Sequence, residues 1–117
     1  MSFQITTREA GDIVVMIAVG SLTLSDGRTQ LRDVIHVFAG NGRRKFVLDL
    51  AGVNSIDSYG VGELARCYSV VRQAGGELKL VRVSEKVRSV LELTQLHTLF
   101  EMHADERAAL RSFEQRT

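Results

Sequence analysis

The sequence predicts one α/β domain over residues 1–117, built on a mixed, mostly parallel sheet of about five strands with four helices. Three observations predict it. Apolar, strand-like runs alternate with segments of helical period along most of the chain, the order that produces parallel strands joined by right-handed crossovers. The run IVVMIAV (residues 13–19) is apolar without interruption, as a strand covered on both faces must be. A chain of 117 residues with 44% hydrophobic and 25% charged residues can close a single core.

Each element has its own signal. Residues 3–8 (FQITTR) alternate weakly and read as an edge strand, and Gly11-Asp12 turns the chain into the strand 13–19, which Gly20 closes. In the loop SLTLSDG, Ser25 or Asp26 is placed to cap a first helix, whose apolar positions Leu31, Val34, Ile35 and Phe38 follow helical spacing. Ala39-Gly40-Asn41-Gly42 stops that helix. Residues 45–50 (KFVLDL) form the next strand. From Ser58 to Ala74, Val61, Leu64, Ala65, Tyr68 and Val71 mark the inner face of a second helix, and Glu63, Arg66, Ser69 and Arg72 mark the outer one. Gly75-Gly76 ends it. A strand over 77–83 (ELKLVRV), a helix over 84–93 opened by Ser84, and a short strand near Thr98–Met102 follow. Asp105 caps a last helix carrying Ala108, Leu110 and Phe113. With no proline, the turns rely on glycine, asparagine and aspartate.

Composition narrows the function. A net charge of +1 is too small to imply nucleic acid or an anionic membrane as partner, and Arg43-Arg44-Lys45 reads as a solvated loop end. The single cysteine, Cys67, excludes an internal disulfide and reads as a buried, inert thiol in a reducing cytosol. The start MSFQITTREAGD lacks the pattern of a signal peptide, and no run approaches the roughly 18 apolar residues of a membrane span, so the expectation is a cytoplasmic protein. His36, His97 and His103 show none of the paired spacings that bind metal. The glycines of GDIVVMIAVGSLTLSDG match neither a dinucleotide loop nor a P-loop. Ser58 is not in a nucleophile elbow, since Ile56 stands where glycine is required. Asp49 is a lone carboxylate, expected to point out of the sheet at its strand's end. No base stands beside a nucleophile, so hydrolytic catalysis is unsupported, and no metal or cofactor is expected.

The informative stretch is VLDLAGVNSIDSYGVG (residues 47–62), which places Gly60 and Gly62 in the first turn of a helix although each costs about 1 kcal/mol there relative to alanine. Two readings stay open. Ser58 is an N-cap, accepting a hydrogen bond from the first turn. Alternatively its hydroxyl is exposed, and the bare backbone at Gly60 and Gly62 lets another molecule approach it. Val61, where a capping box would carry Glu or Gln, speaks against the cap. A phosphate at Ser58 brings nearly two negative charges, which a helix N-terminus tolerates, so its effect is on binding rather than on folding.

Residues 47–102 resemble a STAS domain, the fold shared by bacterial anti-sigma-factor antagonists and the cytoplasmic tails of sulfate transporters. The likeness covers nearly the whole chain. It is carried by Gly20-Ser21-Leu22, the LDLxGVxxIDSxGxG block, the GGELKL strand and the VRxxLExTxLxxxFE tail. The central block is the specific part. The resemblance implies that Ser58 is a phospho-acceptor in a partner-switching cycle. The unphosphorylated antagonist captures an anti-sigma factor, itself a serine kinase of the histidine-kinase-like ATPase type. The kinase phosphorylates the serine and ends the capture, and a metal-dependent serine phosphatase resets the cycle. ATP and magnesium then belong to the kinase, and the antagonist catalyses nothing. The contact surface expected is the start of the second helix (Asp57, Tyr59, Gly60, Val61, Gly62), its outer side at Glu63 and Arg66, and the loop at Leu22 and Thr23. Two residues depart from the family's pattern: Tyr59, where a small residue is common, and Thr23, where an acidic one is. A different class of function, a STAS scaffold or accessory subunit of a membrane transporter complex, leaves Ser58 as a cap only. A small-ligand or nucleotide-binding domain is disfavoured by the missing phosphate loop.

Overall fold

In the computed structural model, which describes residues 3–24 and 30–114, Gly11 adopts the left-handed φ of +63° that a side chain would resist. It folds β1 (Gln4–Ala10) and β2 (Ile13–Leu22) into an antiparallel hairpin. The chain then alternates through α1 (Leu31–Gly40), β3 (Lys45–Ile56), α2 (Ser58–Gln73), β4 (Glu77–Val81), α3 (Glu85–Leu93), a 3-10 turn (Leu96–Thr98), β5 (Glu101–His103) and α4 (Glu106–Glu114). The strands stand in the order β1-β2-β3-β4-β5, and every pair after the hairpin is parallel. Among the described residues this is the α/β architecture expected, five strands and four α-helices.

Alternation along the strands explains the uninterrupted apolar run. Val14, Met16 and Ala18 of β2, with Phe46, Leu48 and Leu50 of β3, face a core completed by Leu31 and Ile35 of α1, Val61, Leu64, Cys67 and Val71 of α2, and Val87 and Leu91 of α3. Ile13, Val15, Val47 and Val81 point to the opposite face, where Ala109 and Phe113 of α4 cover them. Three helices on one face and one on the other leave β2 and β3 buried on both sides at their centres. Burial pushes the Cys67 thiol up to about 12, so it is inert as expected.

Boundaries moved where tertiary pairing overrode local signals. Gly20 does not close β2, and β3 does not stop at Leu50. Both strands run on, with register shifts, until Ser21 pairs with Ser55 and Leu22 with Ile56. The Ser55 hydroxyl donates to Ser21 Oγ at 2.9 Å, which in turn donates to Asn54 Oδ1 at 2.9 Å. These polar bonds extend a ladder that composition alone disfavours. At the far edge β4 ends at Val81, because Arg82 takes a φ of +52°. Its N–H is then given to the His103 carbonyl. The strand expected over Thr98–Met102 lies slightly later, after the 3-10 turn. Asp105 caps α4 as expected, accepting from the Ala108 amide at 2.9 Å. Ser84, expected as the first residue of its helix, stands one position before α3 as its cap, accepting from the Val87 amide at 3.2 Å. The first helix differs: Ser25 and Asp26 lie outside the described residues, and Gln30 holds the N-cap position without a side-chain cap bond.

Asp49 also corrects its expectation. It sits inside β3, 4% exposed, and its carboxylate meets the Arg82 guanidinium at 2.9–3.3 Å and the Ala51 amide at 2.9 Å. A buried charge must be paired, and this one is. Lys79 is buried in the same way, with Ser112, Glu101 and the Phe113 ring around its ammonium. Among the described residues no helix is long and apolar enough to cross a membrane.

Candidate functional site

The carboxyl end of β3 delivers Asp57 in an extended conformation (φ −124°, ψ −172°) directly before α2, the geometry of an N-cap. Its Oδ1 accepts from the Gly60 amide at 3.0 Å. Its Oδ2 accepts from the Leu24 amide at 3.1 Å, across 33 residues of chain. Asp57 therefore closes the first turn and ties the segment after β2 to it. The Gly60 amide, then those of Leu24 and Tyr59, hold its carboxyl below the ordinary value of 3.8 against the opposing effect of desolvation.

The cap is thus Asp57 and not Ser58. Ser58 is the first residue of α2 and is exposed. Freed of the capping duty, its hydroxyl stands at the surface.

The two glycines have different causes. Gly60 is buried, and a Cβ there would overlap the Leu22 carbonyl oxygen and lie 2.8 Å from Ile56 Cγ1. Its bareness serves the close approach of α2 to the ends of β2 and β3 rather than the approach of a partner. At Gly62 a Cβ would meet only the Arg66 guanidinium, at 3.2 Å from Nη1. The sequence left open whether these glycines serve the backbone or an incoming molecule; at Gly60 the structure shows the backbone requirement, and at Gly62 it shows none.

The expected contact residues divide accordingly. Thr23, Asp57, Tyr59 and Gly62 are half-buried and Arg66 is exposed. Asp57 and Tyr59 flank Ser58 in sequence, Gly62 and Arg66 share its helix, and Thr23 lies between Leu22 and Leu24, whose backbones bond Asp57. Leu22, Gly60 and Val61 are buried and form the packing beneath. Glu63, expected on the outer side, is 2% exposed. It is buried because α1 lies along α2 as well as the sheet does. Its charge is met by Arg32 of α1 (Nη2 at 3.2 Å, Nε at 3.3 Å) and by Arg66 (Nη1 at 3.1 Å). Leu24 was missed. It is 66% exposed beside the Asp57 anchor, and its only sequence signal is an apolar residue in GSLTLSDG that no periodic pattern claims.

Elsewhere the histidines hold no shared site. Among the described residues no group of three His, Cys, Asp or Glu could hold a metal ion. His103, within β5, meets Glu101 at 2.6 Å, and His36 is exposed.

Comparison with known proteins bears on the family and the fold. Residues 4–109 match the model of the STAS domain family. A Thermotoga maritima protein, provisionally named an anti-sigma factor antagonist, is 29% identical over 92 residues, covering 79% of this chain and 81% of that one. A crystal structure of a Thermotoga maritima protein with the same provisional name superposes with a TM-score of 0.86 at 25% identity, covering 95% of both chains. The Bacillus cell fate determinant SpoIIAA in its phosphorylated form shares the fold, with a TM-score of 0.68 at 21% identity over 95% of this chain and 99% of that one.

Proposed function

Because the chain belongs to the STAS domain family, we propose that it is an anti-sigma-factor antagonist, switched by a phosphate on Ser58. In this reading the unphosphorylated chain captures an anti-sigma factor that is also a serine kinase of the histidine-kinase-like ATPase type. The γ-phosphoryl group of ATP passes to Ser58 Oγ, which loses its proton, and ADP leaves. A serine phosphatase reverses the modification by hydrolysis. The names of the relatives support the capture of an anti-sigma factor.

The observation that carries the switch is the division of labour at one junction: Asp57 caps α2, so Ser58 is exposed and has no structural duty to lose. A phosphate there sits at the positive end of α2, where added negative charge is tolerated. SpoIIAA keeps the same fold in its phosphorylated form. The consequence is felt outside the domain. The capture surface is Ser58, Tyr59, Gly62 and Arg66 with Thr23 and the exposed Leu24, and a group carrying nearly −2 in its midst displaces an acidic or apolar partner. Leu22, Gly60, Val61 and Glu63 shape that surface from below.

The test is direct. Incubation with ATP and a kinase encoded beside the gene should add the mass of one phosphate, and Ser58→Ala should abolish it. Ser58→Asp should weaken capture of the anti-sigma factor at least about tenfold, with the melting temperature nearly unchanged, as expected for an exposed position. Labelling that persists in Ser58→Ala moves the acceptor to Ser55 or Tyr59. Absence of labelling with every candidate kinase, with capture indifferent to Ser58→Asp, leaves the chain as a STAS scaffold or transporter accessory subunit.

A further inference from the structure

Ser58, Gly62 and Arg66 stand four residues apart on α2, so they form one stripe along the helix, with neighbouring Cβ positions about 6 Å apart. Helical side chains lean toward the N-terminus. Arg66 does so here: its guanidinium lies back over Gly62, 3.2–3.9 Å from where a Cβ would be. The charge therefore rests about one turn from the Ser58 hydroxyl, on ground that any side chain at position 62 would occupy. Its present acceptor is Glu63 Oε1 at 3.1 Å. Glu63, however, has a second holder. Arg32 reaches both carboxylate oxygens, with Nη2 at 3.2 Å from Oε1 and Nε at 3.3 Å from Oε2.

We infer that Arg66 is the internal counter-ion of a phosphate on Ser58, leaving Glu63 to Arg32 and swinging along the bare backbone of Gly62 to the new dianion. The inference rests on the reading of Ser58 as phospho-acceptor and deepens it. The exchange is possible because it strands no buried charge: Glu63 keeps a two-point partner when Arg66 departs. Removing one holder of a buried carboxylate that had no other would instead be strongly destabilising. Arg66 is also the more exposed arginine, 55% against 40% for Arg32, and so the freer to move. A dianion with three acceptor oxygens competes well against a monoanion already shared. Modification then acts twice on the capture surface: it adds a phosphate at Ser58 and withdraws a cation from the Glu63 flank.

The experiment needs no kinase. The chain is made with phosphoserine installed at position 58, and the second phosphate ionisation, about 6 in free phosphoserine, is followed by phosphorus NMR against pH. The charged side chains that the structure ties to this stretch of α2 are Asp57, its N-cap, and the linked group Glu63, Arg66 and Arg32 of α1. Asp57 acts alike in every variant, so the two Arg66 variants report Arg66, whereas Glu63→Gln also removes a negative charge of its own. Arg66→Ala should raise the phosphate pKa by about half a unit, the size of an exposed charge-assisted pair. Arg66→Lys should fall between, keeping the charge without the fork. Glu63→Gln, which weakens the rival acceptor, should lower the value below that of the parent chain. Equal values in the parent and Arg66→Ala overturn the exchange, as does a rise in Glu63→Gln. A missing kinase reaction would instead overturn the phospho-switch and leave this titration untouched, so the two failures are distinguishable.

Discussion

Two strand-to-helix junctions at the carboxyl ends of neighbouring parallel strands use the same local chemistry for different purposes. At the start of α3, Ser84 is extended and accepts from the amide three residues on, at 3.2 Å. At the start of α2, Asp57 is extended and accepts from the amide three residues on, at 3.0 Å. There the likeness stops. Ser84 serves its own turn. Asp57 has a second oxygen, which accepts from the Leu24 amide in a distant segment, and the exposed serine next in line takes no part in the cap. A carboxylate offers two acceptor atoms where a hydroxyl caps with one. That single difference leaves an exposed residue at the start of α2 that takes no part in the cap.

The largest effect that separates the junctions is steric. Gly60→Ala should cost about 2–3 kcal/mol in chemical denaturation, because the new methyl overlaps the Leu22 carbonyl and both backbones must shift. A neutral Gly60→Ala would erase the close approach from the comparison. Next come the caps. Ser84→Ala should cost about 1 kcal/mol, the usual value for a lost N-cap. Asp57→Ala should cost more than that and should also speed amide exchange at Leu24, since it releases both the turn and the loop.

The acid limb sharpens the same contrast. The Asp57 pKa is depressed on folding, so its charge stabilises the folded chain above its unfolded value of 3.8, and the benefit is lost as pH falls through the lower folded value. The stability difference between the parent and Asp57→Asn should therefore be full near neutrality and shrink below about pH 4. Ser84→Ala should show no such narrowing. Smaller still, Gly62→Ala should be neutral or gain up to about 1 kcal/mol, because only the flexible end of Arg66 stands in the way. Ser58→Asp should stay within about 0.5 kcal/mol of the parent.

Much of this was legible beforehand for a physical reason. Period and composition are local properties, so the strand and helix order, the inward residues Val61, Leu64 and Val71, the caps at Ser84 and Asp105 and the inert Cys67 could be read from neighbours in sequence. Glu63 could not. Helical spacing placed it opposite Val61, on the solvent side, but α1 covers that flank and brings Arg32 to meet it. Asp49 failed likewise, since its partner Arg82 is 33 residues away and in a left-handed conformation that no local signal announces. The cap was misplaced by one residue because Asp and Ser are comparable caps, and only the path of β3 decides which of them is extended.

The residues alone determined the class of fold and the family likeness and singled out residues 47–62 as the informative stretch, because hydrophobic period, turn residues and a dense motif survive without coordinates. Tertiary structure decided which residue caps α2, at which glycine the protein's own backbone fills the space, and which charges are buried. Those outcomes depend on atoms far apart in sequence coming within about 3 Å of one another, the range over which hydrogen bonds and steric overlap act.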